Sequence, residues 1–204
     1  MRSLMALKSH FSPSPTVECG CDEVGRGCLA GPVCAAAVIF PYDYSNEEIN
    51  DSKQLTEHKR DLLRQIIERD AIAYAVAEVS ETDIDKMNIL RASIHCMNLA
   101  VGKLAVKPEL ILVDGNRFHD QWGIPYRCVV KGDATYLSIA AASILAKTYR
   151  DALMNRLADE FPAYDWAHNK GYPTTAHYAA IEQYGITPLH RKSYKLNRQT
   201  ELTF

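Results

Sequence analysis

Apolar positions along this chain follow two rhythms in succession, and their order predicts an α/β domain. Residues 16–22 and 33–40 are apolar runs bounded by turn formers and read as strands, joined through a glycine-rich turn into an antiparallel hairpin. Over 56–69 the period lengthens: Leu62, Leu63, Ile66 and Ile67 form one stripe of a helix, and 71–79 returns to a third strand. Residues 80–104 open with acids and repeat Ile84, Met87, Leu90, Ile94 and Met97, which predicts one long helix closed off before Pro108. The fully apolar run 110–113 reads as a strand buried on both faces, stopping at Asp114-Gly115, and 126–130 supplies a fifth strand. From Ala134 to about Glu160 the alanine-rich run is a strong helix former whose small side chains let it lie close to a sheet. A last helix is expected over 174–184.

That order predicts a mixed five-stranded sheet flanked by helices, with a C-terminal helical segment. No internal repeat or linker interrupts it, so a Ser/Pro-rich lead (1–15) is expected to precede one domain over 16–204.

Composition narrows the class. With 204 residues, 47% hydrophobic and 24% charged, the chain can bury a core and is neither a disordered nor a fibrous sequence. The six cysteines lack paired C-x-x-C spacing and are expected to be small buried hydrophobes in a reducing cytoplasm. Cys19 and Cys21 would share a strand face, but no second ligand pair completes a soft-metal site. The first eight residues make too short and interrupted an apolar stretch for a signal peptide, and nothing approaches the roughly 20 apolar residues of a membrane span. A monomer without membrane partners is expected. Net charge is −2, against the basic habit of many nucleic-acid binders. Positive charge is concentrated near the end instead, where Arg191, Lys192, Lys195 and Arg198 face a single acid, Glu201; alone, this is a solvated basic tail.

Four acids carry the candidate chemistry. Asp22 and Glu23 close the first strand and lead into Gly25-Arg26-Gly27. Side chains alternate on a regular strand, so both acids are expected to share a site only if the backbone turns there, which the glycines permit. Taken alone, the pair is more often a turn with exposed acids. Gly25-Arg26-Gly27 and Gly31 imitate a dinucleotide-binding fingerprint, but Pro32 and a strand follow where a helix N-terminus is required, and the acids would repel pyrophosphate. Asp114 ends the apolar strand, a position where sheets with parallel strands present functional groups, or a plain turn residue. Asp133 precedes a helix, where an N-cap is the bland alternative. Together the four form a set of hard oxygen ligands suited to magnesium or manganese. Two such ions could activate water and stabilise a leaving oxygen in phosphodiester cleavage.

At this point the sequence resembles the ribonuclease HII family. The resemblance rests on Asp-Glu-Val-Gly-Arg-Gly at 22–27, Asp51-Ser52-Lys53-Gln54-Leu55, Val113-Asp114-Gly115 and Lys131-Gly132-Asp133-Ala134. It continues through the Ser-Ile-Ala-Ala-Ala-Ser-Ile-Leu-Ala-Lys run at 138–147, Arg150-Asp151, Asn169-Lys170-Gly171-Tyr172-Pro173-Thr174, His177 and His190-Arg191. The motifs keep the family's order from about residue 17 to 194.

The resemblance implies a ribonuclease H-like fold in which Asp22, Glu23, Asp114 and Asp133 are both the catalytic residues and the ligands of Mn²⁺ or Mg²⁺. It implies that backbone groups of Gly25, Arg26 and Gly27 sense the ribose 2′-OH, the group that separates RNA from DNA. Tyr172 would pack against the nucleotide at the RNA–DNA junction; without the family it is an ordinary aromatic. Lys53 would approach substrate phosphate, and Ser143, Lys147 and Arg150, on one helix face, would contact the nucleic-acid backbone or form a solvated face. The activity implied is cleavage of RNA in RNA–DNA hybrids and on the 5′ side of ribonucleotides embedded in duplex DNA, leaving 3′-hydroxyl and 5′-phosphate ends. Two rivals remain: a module that grips hybrid duplexes without cutting, which bare carboxylates disfavour, and a magnesium enzyme for phosphorylated small molecules, which leaves the Gly-Arg-Gly and Lys-Gly-Tyr motifs without a task.

Overall fold

In the computed structural model, which describes residues 7–197, one five-stranded sheet organises the chain. Its strands are β1 Glu18–Val24, β2 Val33–Ile39, β3 Ala73–Val79, β4 Leu110–Asp114 and β5 Tyr126–Val129, in the order β3-β2-β1-β4-β5. The expected hairpin is present, since β1 pairs antiparallel with β2 and β2 with β3, while β1, β4 and β5 run parallel. The sheet is therefore mixed, and β1 lies at its centre. Ile111, Leu112 and Val113 are fully buried, as a strand covered on both faces requires.

Helices cover both faces. On one lie α1 (Glu57–Asp70) and α4 (Leu137–Glu160), burying Leu63, Ile67, Ala140, Ala141 and Ile144 against Ala36 and Val38. A Cβ on Gly20 would stand 2.2 Å from the Ser138 carbonyl carbon, so only a glycine in β1 lets the α4 backbone come this close. The opposite face carries α2 (Glu81–Met87) and α3 (Ile89–Gly102), whose Ala92, Cys96 and Met97 pack on Cys21, Val33 and Ala35. Five of the six cysteines are buried and all are free thiols.

Three expectations need correction. The span 80–104 is two helices, because Asn88 adopts φ 70° and ψ 160°, ending α2 through its N–H to Ile84 and capping α3 by accepting from the Arg91 N–H. The apolar stripe continues across the break because both helices address the same sheet face, so periodicity could not reveal it. The 134–160 helix begins at Leu137, behind a 3-10 turn over Gly132–Ala134, so Asp133 does not cap it. Finally, Arg191 is fully buried rather than part of a solvated tail; Lys192 and Lys195 are exposed, and Arg198 and Glu201 lie outside the described residues.

The C-terminal part holds α5 (Trp166–Asn169) and α6 (Thr175–Tyr184), packed with Ala30 and the far end of α4 around Trp166, Met154 and Tyr164. The lead is tied to the body: the Lys8 N–H donates to Thr135 O at 2.9 Å and its carbonyl accepts from Leu137 N at 2.9 Å. The Glu18 carboxylate accepts the amides of Phe11 and Ser12.

Candidate active site

Parallel pairing of β1 with β4 brings their C-terminal ends together, with Cys21 opposite Val113, and so places Asp22 and Glu23 beside Asp114. The backbone does not turn to achieve this. β1 continues through Val24 and its side chains alternate: Asp22 shares a cavity wall with Ser143 of α4, and Glu23 lies towards Ile94 and Met97 of α3. The two carboxylates meet because both stand on the rim where the sheet ends, not because they share a face.

Asp133 arrives through the turn. Asp114 Oδ1 accepts the Gly132 N–H at 2.7 Å, which docks Gly132–Ala134 onto the end of β4. Lys53, on a 3-10 turn over Ser52–Gln54 that Asp51 caps, reaches across to Asp133 Oδ2 at 3.2 Å. Arg26 holds Glu23 Oε1 at 3.0 Å.

The cluster resists full ionisation. Burial pushes the Asp22 carboxyl well above its ordinary range, and the charges of Glu23 and Asp114 push it further. Glu23 is raised by burial in spite of Arg26, and Asp114 by burial and then by Asp133. As they stand, no three acidic, histidine or cysteine side chains among the described residues converge closely enough to enclose one ion. The donor chemistry nonetheless suits a hard divalent cation: four carboxylates, three of them with raised proton affinity, two paired with exposed basic side chains. A divalent charge reverses that electrostatic preference.

A cavity of about 450 Å³ opens at this rim. It is lined by Asp22, Glu23 and Asp114, by Gly25, Arg26 and Gly27, and by Lys53, Ser143, Lys147 and Tyr172. Eleven of the twelve sequence-predicted positions are thus in it or, for Asp133, joined to it through Lys53. Arg150 is the exception. It is fully buried, and its guanidinium donates to the carbonyls of Pro32, Ala30 and Lys170 at 2.9, 3.0 and 2.8 Å, so it offers nothing to a phosphate. Periodicity placed it on the face with Ser143 and Lys147 but could not show that the chain at Ala30, Pro32 and Lys170 encloses that part of α4.

Three further side chains support the cavity without being assigned a role there from sequence: Ser52 and Asp151 stand only as members of motifs, and Arg60 carries no signal. Ser52 hydrogen-bonds Ser143 at 2.9 Å, linking the Lys53 turn to α4. Arg60 lines the wall, supports that turn through the Ser52 and Leu55 carbonyls, and faces Asp151 at 3.6 Å. Asp151 in turn holds Lys147 at 2.6 Å. His177 and His190 stay out of the cavity, buried with Trp166; His177 Nδ1 lies 3.0 Å from the Tyr172 carbonyl.

The family model for ribonuclease HII matches residues 19–197, which covers every one of these positions. The chain belongs to the ribonuclease HII family. It is 62% identical over 180 residues to the ribonuclease HII of Parabacteroides distasonis, spanning 88% of this chain and 90% of that one. The fold matches the crystal structure of ribonuclease H2 from Pyrococcus horikoshii OT3 at a TM-score of 0.74 and 25% identity, over 88% of this chain and 94% of that one. It also matches Bst-RNase HIII, solved in complex with Mn²⁺, at a TM-score of 0.69 and 20% identity, over 89% and 68% of the two chains. The expected ribonuclease H-like fold is therefore present. Membership makes the protein an endoribonuclease of the ribonuclease H type, which cuts the RNA of RNA–DNA hybrids and leaves 5′-phosphate ends.

Proposed function

We propose that this ribonuclease HII cuts duplex DNA on the 5′ side of a single embedded ribonucleotide, as well as RNA in hybrids, with two divalent ions at the sheet rim. The observation that carries this is a cavity that joins three of the carboxylates to exposed Gly27, an exposed tyrosine ring and two lysines. Asp22, Glu23, Asp114 and Asp133 would hold the ions, Mn²⁺ or Mg²⁺, which supply an activated water and charge stabilisation at the leaving 3′-oxygen.

The remaining work falls to the chain's own groups. The Gly132 N–H orients the Asp114 carboxylate, and Ser143, paired with Ser52, lines the cavity wall with Asp22. Backbone groups of Gly25, Arg26 and Gly27 read the 2′-OH, and Tyr172, 38% exposed on the cavity wall, stacks on the neighbouring nucleotide. Lys53 and Lys147 meet phosphate oxygens. Arg26 and Lys53 then do double duty: without nucleic acid they neutralise Glu23 and Asp133. No helix among the described residues is long and apolar enough to cross a membrane, and we take the enzyme to act as a single-domain monomer in a reducing cytoplasm, a reading that the free thiols support.

The test is cleavage of a DNA duplex with one ribonucleotide in magnesium, manganese or chelator, comparing wild type with Asp114→Asn. Metal-dependent cutting 5′ to the ribonucleotide that falls at least 100-fold in the variant is the expected outcome. Failure of folded wild type to cut with either metal, or equal cutting in chelator, would overturn the reading in favour of a hybrid-binding module.

A further inference from the structure

Behind the Gly-Arg-Gly loop lies a buried cation that no carboxylate among the described residues hydrogen-bonds. Arg191 is fully buried, and among the described residues its hydrogen bonds go to carbonyls and to the Tyr194 hydroxyl, none to a carboxylate. Nε and Nη2 donate to Gly31 O at 3.0 and 2.7 Å, and Nη1 donates to Arg26 O at 2.9 Å. The Tyr194 hydroxyl donates to the same Arg26 oxygen at 2.6 Å, and its ring lies 5.2 Å from the guanidinium. Burying a guanidinium is expensive unless its donors are met, and here they are met by the Arg26 and Gly31 carbonyls and the Tyr194 hydroxyl.

Pulling the Arg26 carbonyl inward has a geometric consequence. The Arg26–Gly27 peptide is trans, so its C=O and N–H point in opposite directions. With the oxygen held against Arg191 and Tyr194, the Gly27 N–H is turned outward, at a residue that is exposed and lines the cavity. Among the described residues that N–H has no protein acceptor. Gly27 also answers no demand of the fold for glycine. Its φ lies outside the left-handed region, and a Cβ there would meet nothing within 4 Å, so the space is open to a ligand.

The geometry points to Arg191 and Tyr194 as positioning residues that aim the Gly27 N–H at the ribose 2′-oxygen and thereby set the preference for a ribonucleotide over a deoxyribonucleotide. The inference rests on the proposed function, in which this loop reads the 2′-OH. Asp85 of α2 anchors the lever from the other side: its carboxylate accepts the amides of Lys192 and Ser193, both at 2.9 Å, fixing the segment that carries Tyr194. Arg191 N donates to Leu29 O at 2.8 Å and Leu29 N to Gly171 O at 2.7 Å, so the loop is also stitched to the neighbour of Tyr172.

The experiment is equilibrium binding in chelator, where no strand is cut, of two duplexes that differ only by one 2′-OH. Wild type, Tyr194→Phe and Arg191→Lys are compared. Tyr194→Phe keeps the ring and deletes one donor to Arg26 O; Arg191→Lys keeps charge and loses the fork, and its folding is checked by circular dichroism. The expected result is a wild-type preference for the ribonucleotide duplex that Tyr194→Phe lowers about threefold or more, with affinity for the all-DNA duplex unchanged. An unchanged ratio in Tyr194→Phe, or equal loss for both duplexes, overturns the positioning role and leaves the function standing. No preference in wild type removes the 2′-OH reading itself, and this inference with it.

Discussion

Gly25 and Gly27 stand two residues apart in one loop and answer to different constraints. Gly25 has φ +91°, and a Cβ on it would fall 2.3 Å from Arg150 Nε, so the fold needs a glycine there. Gly27 has open space instead. Gly25→Ala should therefore cost about 2 kcal/mol or more by denaturant unfolding. Gly27→Ala should stay within about 0.5 kcal/mol of wild type yet lose about tenfold or more in kcat/KM at an embedded ribonucleotide, since a methyl group would stand between amide and ribose. Full activity in Gly27→Ala would show that nothing approaches that residue closely. The carboxylates give a second residue-scale prediction. Because burial and neighbouring charge raise the Asp22 carboxyl, the folded state holds its proton more tightly than the unfolded chain. Asp22 therefore loses stabilising effect as pH rises from the ordinary carboxylate range through its raised value, the reverse of a salt-bridged acid. Asp22→Asn should abolish metal-dependent cleavage while stabilising the protein at pH 7 to 8 by on the order of 1 kcal/mol, a few degrees in Tm. A lower Tm in that variant would mean that its hydrogen bonds outweigh its repulsions.

At the scale of elements, the α2–α3 junction shows what a hydrophobic period omits. Ile84 and Met97 keep helical spacing across Asn88 because both helices bury onto one side of the sheet, while the backbone between them adopts a conformation few side chains tolerate. Asn88→Ala removes the cap and keeps the strain, and is expected to cost about 1–2 kcal/mol; Asn88→Gly removes the strain as well and should cost much less. Chemical denaturation of the two variants decides it, and equal losses would leave the backbone conformation without energetic weight. The strand–helix contact at Gly20 is the other case. It sets the distance between β1, which carries Asp22, and α4, which carries Ser143 and Lys147.

For the molecule as a whole, the C-terminal segment closes the fold over the loop that begins the site. Ala30 bridges to His190, and His190 packs with His177 and Trp166 beneath the Tyr172 carbonyl. Burial and the nearby His177 lower the His190 imidazole to about 4. The folded state thus refuses a proton that the unfolded chain accepts near 6.5, so this group's stabilising contribution is complete above about 6.5 and is lost as pH falls towards about 4. NMR titration should find a His190 ring that stays neutral at pH 5.5, with stability falling by up to about 3 kcal/mol across that window. A His190 that titrates near 6.5 in the folded protein would show the cluster open to water.

The strands, the α1 stripe and the alanine-rich α4 were legible in the sequence because each depends on a local period: two for a half-buried strand, 3.6 for a helix, unbroken for a strand covered on both faces. The four acids and the glycine loop could be singled out because their residue types are costly or unusual where the local pattern puts them, whereas Tyr172 stood out only through the family resemblance. Which partners they have was decided only by the tertiary structure. Asp22 and Glu23 reach one rim from opposite sheet faces because β4 pairs parallel to β1 and ends beside them, and no local signal encodes that pairing. Arg150 and Arg191 read as surface cations until the chain folds, since a guanidinium's burial depends on carbonyls far away in sequence, at Ala30, Pro32, Lys170 and Gly31. Local chemistry specified which groups the site would contain, and long-range packing decided which of them face the substrate.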